Sequence, residues 1–158
     1  MAIYLDYNAS TPIAPEVADA MQPYLQEGFG NPSSHHWASA DLQSALAESR
    51  TQVADLLGGK SSEIIFTSGG SEATNHALKG AYFQSGGGDA HIITTQIEHP
   101  ATIETCRFLE RLGAKVTYLP VDGEGYVNPA DFQSAITPRT ILVSVMHANN
   151  EVGTIEPI

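Results

Sequence analysis

The feature that most constrains this chain is an alternation of short apolar runs with helix-like segments from residue 63 onward. Runs of β-branched or apolar residues predict buried strands at Glu63–Thr67, His91–Thr95, Lys115–Leu119 and Thr140–Met146. Helical periodicity separates them, at Glu72–Phe83, Ala101–Leu112 and Pro129–Ile136. Alternation of this kind favours parallel pairing through right-handed crossovers. The sequence therefore predicts an α/β fold, with a mostly parallel sheet and helices on both faces.

Two further helices are predicted before these strands. Glu16–Glu27 carries apolar residues at helical spacing, although Pro23 interrupts the regular pattern. The stretch Gly28–Trp37 is rich in turn-forming residues and predicts an ordered loop or a linker. A second helix then ends at Gly58 and Gly59, and its apolar face consists of Leu42, Leu46, Val53 and Leu57. No boundary between domains is visible, so residues 1–158 are expected to form one folding unit.

Composition argues against several classes of function. Eighteen acidic residues against seven basic ones give a formal charge of -11, and no run of Lys or Arg offers the positive surface that a phosphate backbone requires. Nucleic acid and anionic membranes are therefore not expected partners. The sequence has no signal-like or membrane-spanning apolar stretch, no CxxC pair for a metal, and a lone Cys106 that cannot form an internal disulfide. We expect a cytoplasmic protein without a metal site.

Ligands gather beyond the carboxyl ends of strands in an open α/β sheet, so the residues after each predicted strand are candidates for a site. The first exit places Gly69, Gly70 and Ser71 before a predicted helix. Glycines let a ligand approach the backbone, and a helix N-terminus offers unpaired amides. A phosphate cradle is one interpretation, and an ordinary helix N-cap at Ser71 is the other. Since the motif is neither GxxxxGKS/T nor GxGxxG, a smaller phosphorylated ligand fits better than a nucleoside triphosphate or a dinucleotide.

Two other exits carry side chains with binding or acid–base chemistry. His99 precedes Pro100 after the second predicted strand, where an imidazole can stack on a planar ring or move protons. A local capping role for His99 is the plainer alternative. After the fourth predicted strand, Asn149 and Asn150 offer neutral donors and acceptors to a carboxylate or a cofactor oxygen, or else form a turn. Together, these exits predict a site along one edge of the sheet.

The order and spacing of these motifs resemble the cysteine desulfurase family, fold-type I pyridoxal 5'-phosphate (PLP) enzymes of the class V aminotransferase group. The resemblance runs through YLDYNASTP (4–12), FGNPSS (29–34), FTSGGSEATN (66–75), EHPA (98–101) and ILVSVMHANNEVGTIEPI (141–158). These segments span essentially the whole chain. The resemblance implies that residues 1–158 are the N-terminal portion of the large domain of a PLP-dependent transferase.

The resemblance also implies roles for four residues. Gly70 and Ser71 would hold the cofactor phosphate, His99 would stack on the pyridine ring and take part in proton transfer, and Asn150 would contact the cofactor or the substrate carboxylate. His99 is thus the implied catalytic residue. In the family, PLP withdraws electrons from an L-cysteine adduct, and an enzyme thiolate removes the sulfur. Alanine and an enzyme persulfide result, and the persulfide supplies iron–sulfur cluster or thio-cofactor assembly.

Several groups that this chemistry needs lie further along the family's sequences than residue 158. They are the Schiff-base lysine, the aspartate that pairs with the pyridine nitrogen, the persulfide cysteine and the carboxylate-binding arginine. Lys60, Lys79 and Lys115 are interpreted as solvated surface charges. Cys106 shares an apolar helical face with Ile103, Leu109 and Leu112, and is interpreted as a packed core thiol. We therefore expect an incomplete domain that does not turn over substrate alone.

The motifs leave two alternatives to a cysteine desulfurase. Another class V enzyme, such as a selenocysteine lyase, an aminotransferase or a kynureninase, would share the fold. A non-catalytic scaffold fragment would keep the cradle without the chemistry. The expected partners are L-cysteine and a sulfur-acceptor or scaffold protein, together with either a second copy in a homodimer or a C-terminal chain that completes the domain.

Overall fold

The structure is a computed structural model, and it describes residues 3–158. The chain divides into two compact units, Met1–Phe66 and Thr67–Ile158. Both units contain helices, whereas the strands of the described residues all belong to the second. Gly70, Ser71, His99 and Asn150 also lie in the second unit, which therefore contains every predicted site residue.

Two α-helices make up much of the first unit, as predicted. Helix α1 spans Pro15–Gln26, and none of its residues is buried. Helix α2 spans Ala40–Leu57 and stops at Gly58, whose φ of 68° is a left-handed conformation that glycine adopts without steric cost. Leu57 differs from the prediction because it is 70% exposed. It lies in the last helical turn, beyond Ala54, which is the one buried residue of α2.

The segment Gly28–Trp37 is an ordered loop, as predicted. The side-chain oxygen of Asn31 accepts a hydrogen bond from the Ser33 amide at 2.8 Å, and the loop runs into a 3₁₀ helix at Trp37–Ser39. Gly30 allows the backbone to fold back closely, since a Cβ at this position would lie 2.0 Å from the Ala38 carbonyl oxygen. Only glycine fits this approach.

The second unit is built on a three-stranded parallel sheet with the strand order β2–β1–β3. The strands are β1 (His91–Thr95), β2 (Lys115–Leu119) and β3 (Thr140–Val143). The helices are α3 (Gly70–Gln84), α4 (Pro100–Arg111) and α5 (Pro129–Ala135). Strand β1 is central, and all five of its residues are buried, including the polar His91, Thr94 and Thr95. The predicted α/β fold with a parallel sheet is confirmed.

The core of this unit lies between α3, α4 and the sheet. Leu78 and Tyr82 from α3 pack with Cys106 and Leu109 from α4 and with Ile92 from β1. Cys106 is fully buried, as predicted. Burial of a Leu or Ile side chain such as Leu78, Leu109 or Ile92 stabilises a fold by about 1.5–3 kcal/mol. The same packing fixes α3 and α4 relative to β1.

The predicted strand Glu63–Thr67 does not form. Ser61–Glu63 is a 3₁₀ helix, and Ile64 is extended, with φ -91° and ψ 123°. Ile65 is 64% exposed and Phe66 44% exposed. The β-branched composition produces an extended backbone, but a strand also requires a hydrogen-bonded neighbour, and residues 3–158 supply none for this segment.

Strand β3 is shorter than its predicted range of Thr140–Met146. It ends at Val143, although the Ser144 amide still donates to the Ile93 carbonyl at 2.9 Å. The Met146 amide instead donates to a side chain, that of Glu98. The last apolar residues of the run therefore belong to a loop rather than to the ladder.

Residues 3–158 lack two kinds of feature, a membrane-spanning helix and a metal-binding cluster. No helix there combines the length and the apolar character needed to cross a membrane. No three or more His, Cys, Asp or Glu side chains are grouped so that they could hold a metal ion.

Candidate functional site

The N-terminus of α3 presents amide groups without partners. Gly69 is the N-cap, with φ 159° and ψ -179°, and no side chain caps this helix. Within residues 3–158, no acceptor takes the amide hydrogens of Gly70, Ser71 or Glu72. A Cβ added at Gly69 or Gly70 would meet no atom within 4 Å. These donors belong to exposed residues, as an anion-binding helix end requires.

The first turn of α3 also decides between the two interpretations of Ser71. The alternative that Ser71 is an ordinary N-cap is wrong, because Gly69 takes that position and Ser71 lies inside the helix. Glu72 folds back, and its Oε2 accepts hydrogen bonds from the Ser68 hydroxyl at 2.7 Å and the Ser68 amide at 2.6 Å. These bonds hold the pKa of Glu72 below its usual range. The turn before α3 is thus organised by Ser68 and Glu72, which leaves the next amides for a ligand.

His99 begins α4 as its N-cap. Its Nδ1 accepts a hydrogen bond from the Ala101 amide at 3.1 Å. The capping role considered for His99 is confirmed, and it has a chemical consequence. Since Nδ1 is the acceptor, a neutral imidazole carries its proton on Nε2. The exposed ring therefore keeps one N–H donor for a ligand while its orientation is fixed by the helix.

The tandem asparagines differ in their surroundings. Asn149 is 8% exposed, and its Oδ1 accepts from the Glu151 amide at 2.8 Å and the Val152 amide at 3.0 Å. The turn-forming role is thus confirmed for Asn149. Asn150 is exposed, and its side-chain amide lies 3.2 Å from the Glu151 carboxylate. Of the two, Asn150 is the one accessible to a ligand.

Glu98 also lies in this region. The sequence places it directly before His99 but gives it no role of its own. Its Oε1 accepts a hydrogen bond from the Met146 amide at 2.8 Å and from the Thr95 hydroxyl at 3.1 Å. Burial raises the pKa of Glu98, and the nearby Glu156 carboxylate adds to that rise, whereas the hydrogen bonds oppose it. Glu156 itself is 3% exposed. A buried carboxyl group cannot be recognised from a local pattern, because its cover comes from distant parts of the chain.

Two hollows lie between the elements that carry these groups. One of about 430 Å³ is lined by Thr74 of α3, by His99 before α4, by Thr102 of α4, and by residues 142–146. The other, of about 240 Å³, is lined by Ser71 and Lys79 of α3 together with α4 residues that include Ala101. The structure therefore brings the N-terminal ends of α3 and α4 side by side. Asn150 lines neither hollow.

The side chains of Lys79 and Cys106 are engaged in the packing of α3 and α4. The Nζ atom of Lys79 lies 4.7 Å from the centroid of the Phe108 ring, a cation–π contact that covers part of a side chain interpreted as fully solvated. Burial, followed by the charges of Glu110 and Glu98, raises the pKa of Cys106 to about 11. Its thiol is therefore protonated at neutral pH, and thiols in that form are poor nucleophiles.

The donor set fits a phosphorylated planar cofactor. Unpartnered amides at Gly70 and Ser71 suit a phosphate, and the Ser71 hydroxyl adds a donor. The neighbouring α4 supplies an exposed imidazole, a group that stacks well on a planar ring. Neither glycine carries a Cβ that would crowd the ligand.

The chain is similar to known proteins over nearly its whole length. Residues 3–158 match the family model Aminotransferase class-V. The cysteine desulfurase IscS of Dictyoglomus turgidum is 54% identical over 156 residues, which cover 99% of this chain and 40% of that protein. The cysteine desulfurase IscS of Methanosarcina thermophila is 49% identical over 157 residues, which cover 99% of this chain and 39% of that protein. The chain thus spans about 40% of the length of the curated relatives it matches.

Solved structures show the same fold. A structure described as SspA in complex with cysteine superposes with a TM-score of 0.91 at 42% identity, covering 98% of this chain and 44% of that chain. A NifS-like protein superposes with a TM-score of 0.94 at 40% identity, covering 99% of this chain and 43% of that chain. From the family model, which spans nearly every residue, it follows that the chain belongs to the aminotransferase class-V family.

Proposed function

We propose that this chain forms the PLP-binding part of a cysteine desulfurase. The observation that carries the proposal is the row of unpartnered amides at the start of α3, beside the helix that His99 caps. Curated relatives with about 50% sequence identity to this chain bear the name cysteine desulfurase, and a similar solved structure is a complex with cysteine. These likenesses support L-cysteine as the substrate of the whole protein.

In this proposal each predicted residue has a distinct task. Gly70 and Ser71 donate backbone hydrogen bonds to the phosphate, and the Ser71 hydroxyl adds a third donor. His99 stacks on the ring, and its Nε2 holds or moves a proton. Asn150 contacts the cofactor or the substrate carboxylate as a neutral donor. When bound, PLP supplies the electron sink that stabilises negative charge on the amino acid.

We further propose that the sulfur-accepting thiol does not come from residues 1–158. Cys106 is the only cysteine of the chain, and it is fully buried with its proton retained at neutral pH. The thiolate, the lysine that binds the cofactor and the carboxylate-binding arginine are assigned to other residues of the complete enzyme. Association as a homodimer, a cytoplasmic location and transfer of sulfur to an acceptor protein belong to the same proposal.

Cofactor binding by this chain is tested by equilibrium dialysis against PLP. Ser71→Ala removes one hydroxyl donor and is expected to weaken PLP binding about ten- to a hundredfold, the range for a hydrogen bond to a charged group. Ser134→Ala is the matched control, since Ser134 is an exposed helical serine whose hydroxyl bonds to the Ala130 carbonyl at 2.8 Å. Equal affinity of both variants for PLP would contradict the phosphate cradle.

A second measurement separates the enzyme from a non-catalytic scaffold fragment. The chain alone, supplied with PLP and L-cysteine, is expected to form no alanine, because it offers no reactive thiol. If added C-terminal sequence of a cysteine desulfurase relative restores alanine formation, the cradle serves catalysis. Cofactor binding without any restoration would favour the scaffold.

A further inference from the structure

Two polar side chains, the partly buried Glu98 and the buried Asn149, tie the loop after β1 to the loop after β3. The β1 exit loop is residues 96–99, and the β3 exit loop is residues 144–153. From the first loop, Glu98 Oε1 accepts the Met146 amide hydrogen at 2.8 Å. From the second loop, Asn149 Nδ2 donates to the Ile97 carbonyl at 2.9 Å. A side chain of each loop therefore bonds to the backbone of the other loop.

Each tie lies one residue before a proposed cofactor contact. Glu98 directly precedes His99, and Asn149 directly precedes Asn150. Adjacent Cα atoms are about 3.8 Å apart across a rigid peptide plane, so a shift of either anchor passes to its neighbour. His99 and Asn150 are exposed, whereas Asn149 is buried and Glu98 is partly buried. In each loop, one residue thus ties the two loops together, and the exposed residue that follows it is accessible to a ligand.

We propose that Glu98 and Asn149 are positioning residues that hold His99 and Asn150 at the distance and orientation needed by the ring of the cofactor. This inference rests on the proposed function and adds to it the groups that set the geometry of the ring-binding side. The phosphate-binding side, at the start of α3, is organised separately by Ser68 and Glu72.

The bonding pattern of Asn149 needs an amide side chain. Its Nδ2 donates across to the other loop while its Oδ1 accepts from two amides of its own loop. An aspartate would keep the acceptor, but it would place a carboxylate against the Ile97 carbonyl oxygen, where a donor is required. Asn149→Asp therefore breaks the cross-loop tie while it preserves the turn.

Glu98 reaches a third element as well. Besides Met146, its carboxylate accepts from the Thr95 hydroxyl at the end of β1. Its acceptor role does not need a charge, because a glutamine Oε1 can take the same amide hydrogen. Glu98→Gln is thus the conservative variant, and Glu98→Ala removes the tie.

The test compares two ligands on the same chain. Inorganic phosphate reports the start of α3 alone, whereas PLP reports the start of α3 and the ring-binding side together. For Asn149→Asp and Glu98→Ala we expect PLP affinity to fall about tenfold and phosphate affinity to change less than twofold. Glu98→Gln is expected to recover most of the loss seen in Glu98→Ala.

Asn128→Asp is the matched control for Asn149→Asp. Asn128 caps α5, and its Oδ1 accepts the Ala130 amide hydrogen at 3.0 Å, so an aspartate preserves this contact. We expect this control to bind both ligands as the unchanged chain does. Thermal melts of all variants show whether they fold. If Asn149→Asp fails to fold, Asn149→Ser replaces it, because the shorter side chain also lacks the Nδ2 donor of the cross-loop bond. If Glu98→Ala fails to fold, the Asn149 variant carries the test.

A double-mutant cycle distinguishes positioning from general support of the fold. If Asn149 acts through Asn150, Asn149→Asp has little further effect on PLP affinity once Asn150→Ala is present. Additive losses in the cycle, or equal losses for phosphate and PLP, would overturn the positioning role. A chain that binds PLP no more tightly than phosphate would overturn the proposed function, and the positioning role with it. Preference for PLP that Asn149→Asp leaves unchanged would overturn the positioning role alone.

Discussion

The carboxylate of Glu98 accepts a 2.8 Å hydrogen bond from the backbone amide of Met146, 48 residues further along the chain. The apolar run Thr140–Met146 extends beyond the end of β3 at Val143. This contact accounts for the difference, because the Met146 amide donates to a side chain and not to the backbone of β1. It also fixes the residue beside His99. One hydrogen bond therefore shapes both the edge of the sheet and the candidate site.

The first prediction concerns the pH dependence of Glu98. Burial raises the pKa of Glu98 above the ordinary 4.5, so the folded chain binds this proton more tightly than the unfolded chain. Its contribution to the free energy of unfolding is therefore largest below pH 4.5 and falls as the pH rises from 4.5 through the raised pKa. Urea unfolding of the unchanged chain and of Glu98→Gln, compared from pH 4.5 to 7.5, isolates this effect. A stability difference independent of pH would contradict the burial of this charge.

A second prediction concerns His91, which links all three strands at the opposite end of the sheet. Its Nδ1 lies 2.8 Å from the Thr140 hydroxyl and its Nε2 lies 2.8 Å from the Thr117 hydroxyl. Burial lowers the pKa of His91 below 6.5, so the unfolded state binds this proton more tightly. The stabilisation is present above pH 6.5 and is lost as the pH falls through 6.5 towards the lowered pKa. Urea unfolding of His91→Gln should therefore approach that of the unchanged chain in acid, and a gap that widens there would refute the assignment.

A third prediction concerns the reactivity of Cys106. Because the thiol is fully buried and its pKa is raised to about 11, an aromatic disulfide reagent should leave the native chain unmodified at neutral pH. One thiol per chain should react at once in denaturing urea. Rapid stoichiometric labelling without denaturant would show that the thiol is accessible, and would reopen Cys106 as a nucleophile.

A fourth prediction concerns Gly30 in the first unit. A Cβ at Gly30 would lie 2.0 Å from the Ala38 carbonyl oxygen, so Gly30→Ala must displace backbone at a cost of about 1–3 kcal/mol or more. Gly59→Ala is the control, since its Cβ would lie 3.4 Å from a Glu63 side-chain oxygen, an ordinary contact. Chemical denaturation, followed by the fluorescence of Trp37, measures both. Equal stability of the two variants would contradict the close approach at Gly30.

Local patterns predicted much of this fold, and the reasons differ between elements. The ranges His91–Thr95 and Lys115–Leu119 agree with the structure, because β-branched runs of this length have strong strand preference and turn residues on either side. Glu63–Thr67 has a similar composition, but residues 3–158 give it no pairing partner. A strand is a property of two segments, and composition describes only one.

The candidate site was predicted only where a single segment carries the chemistry. The Gly69–Ser71 turn before α3 and the His99–Pro100 start of α4 are local motifs, and the structure has helices beginning at both. The buried ties from Glu98 and Asn149 join residues 48 and 52 positions apart. Their partners depend on how two strands pair, which no local spacing reveals. The role of Asn149 as a buried anchor, with Asn150 exposed, became visible only in three dimensions.

Backbone NMR of the chain titrated with PLP, and separately with inorganic phosphate, tests the central claim most directly. We expect phosphate to shift the amide signals of Gly70, Ser71 and Glu72, and PLP to shift these together with the amide signal of His99. The apolar hollow lined by Val127, Phe132 and Ile158 should be unaffected. PLP-induced shifts confined to that hollow, or the absence of shifts at both Ser71 and His99, would contradict the account.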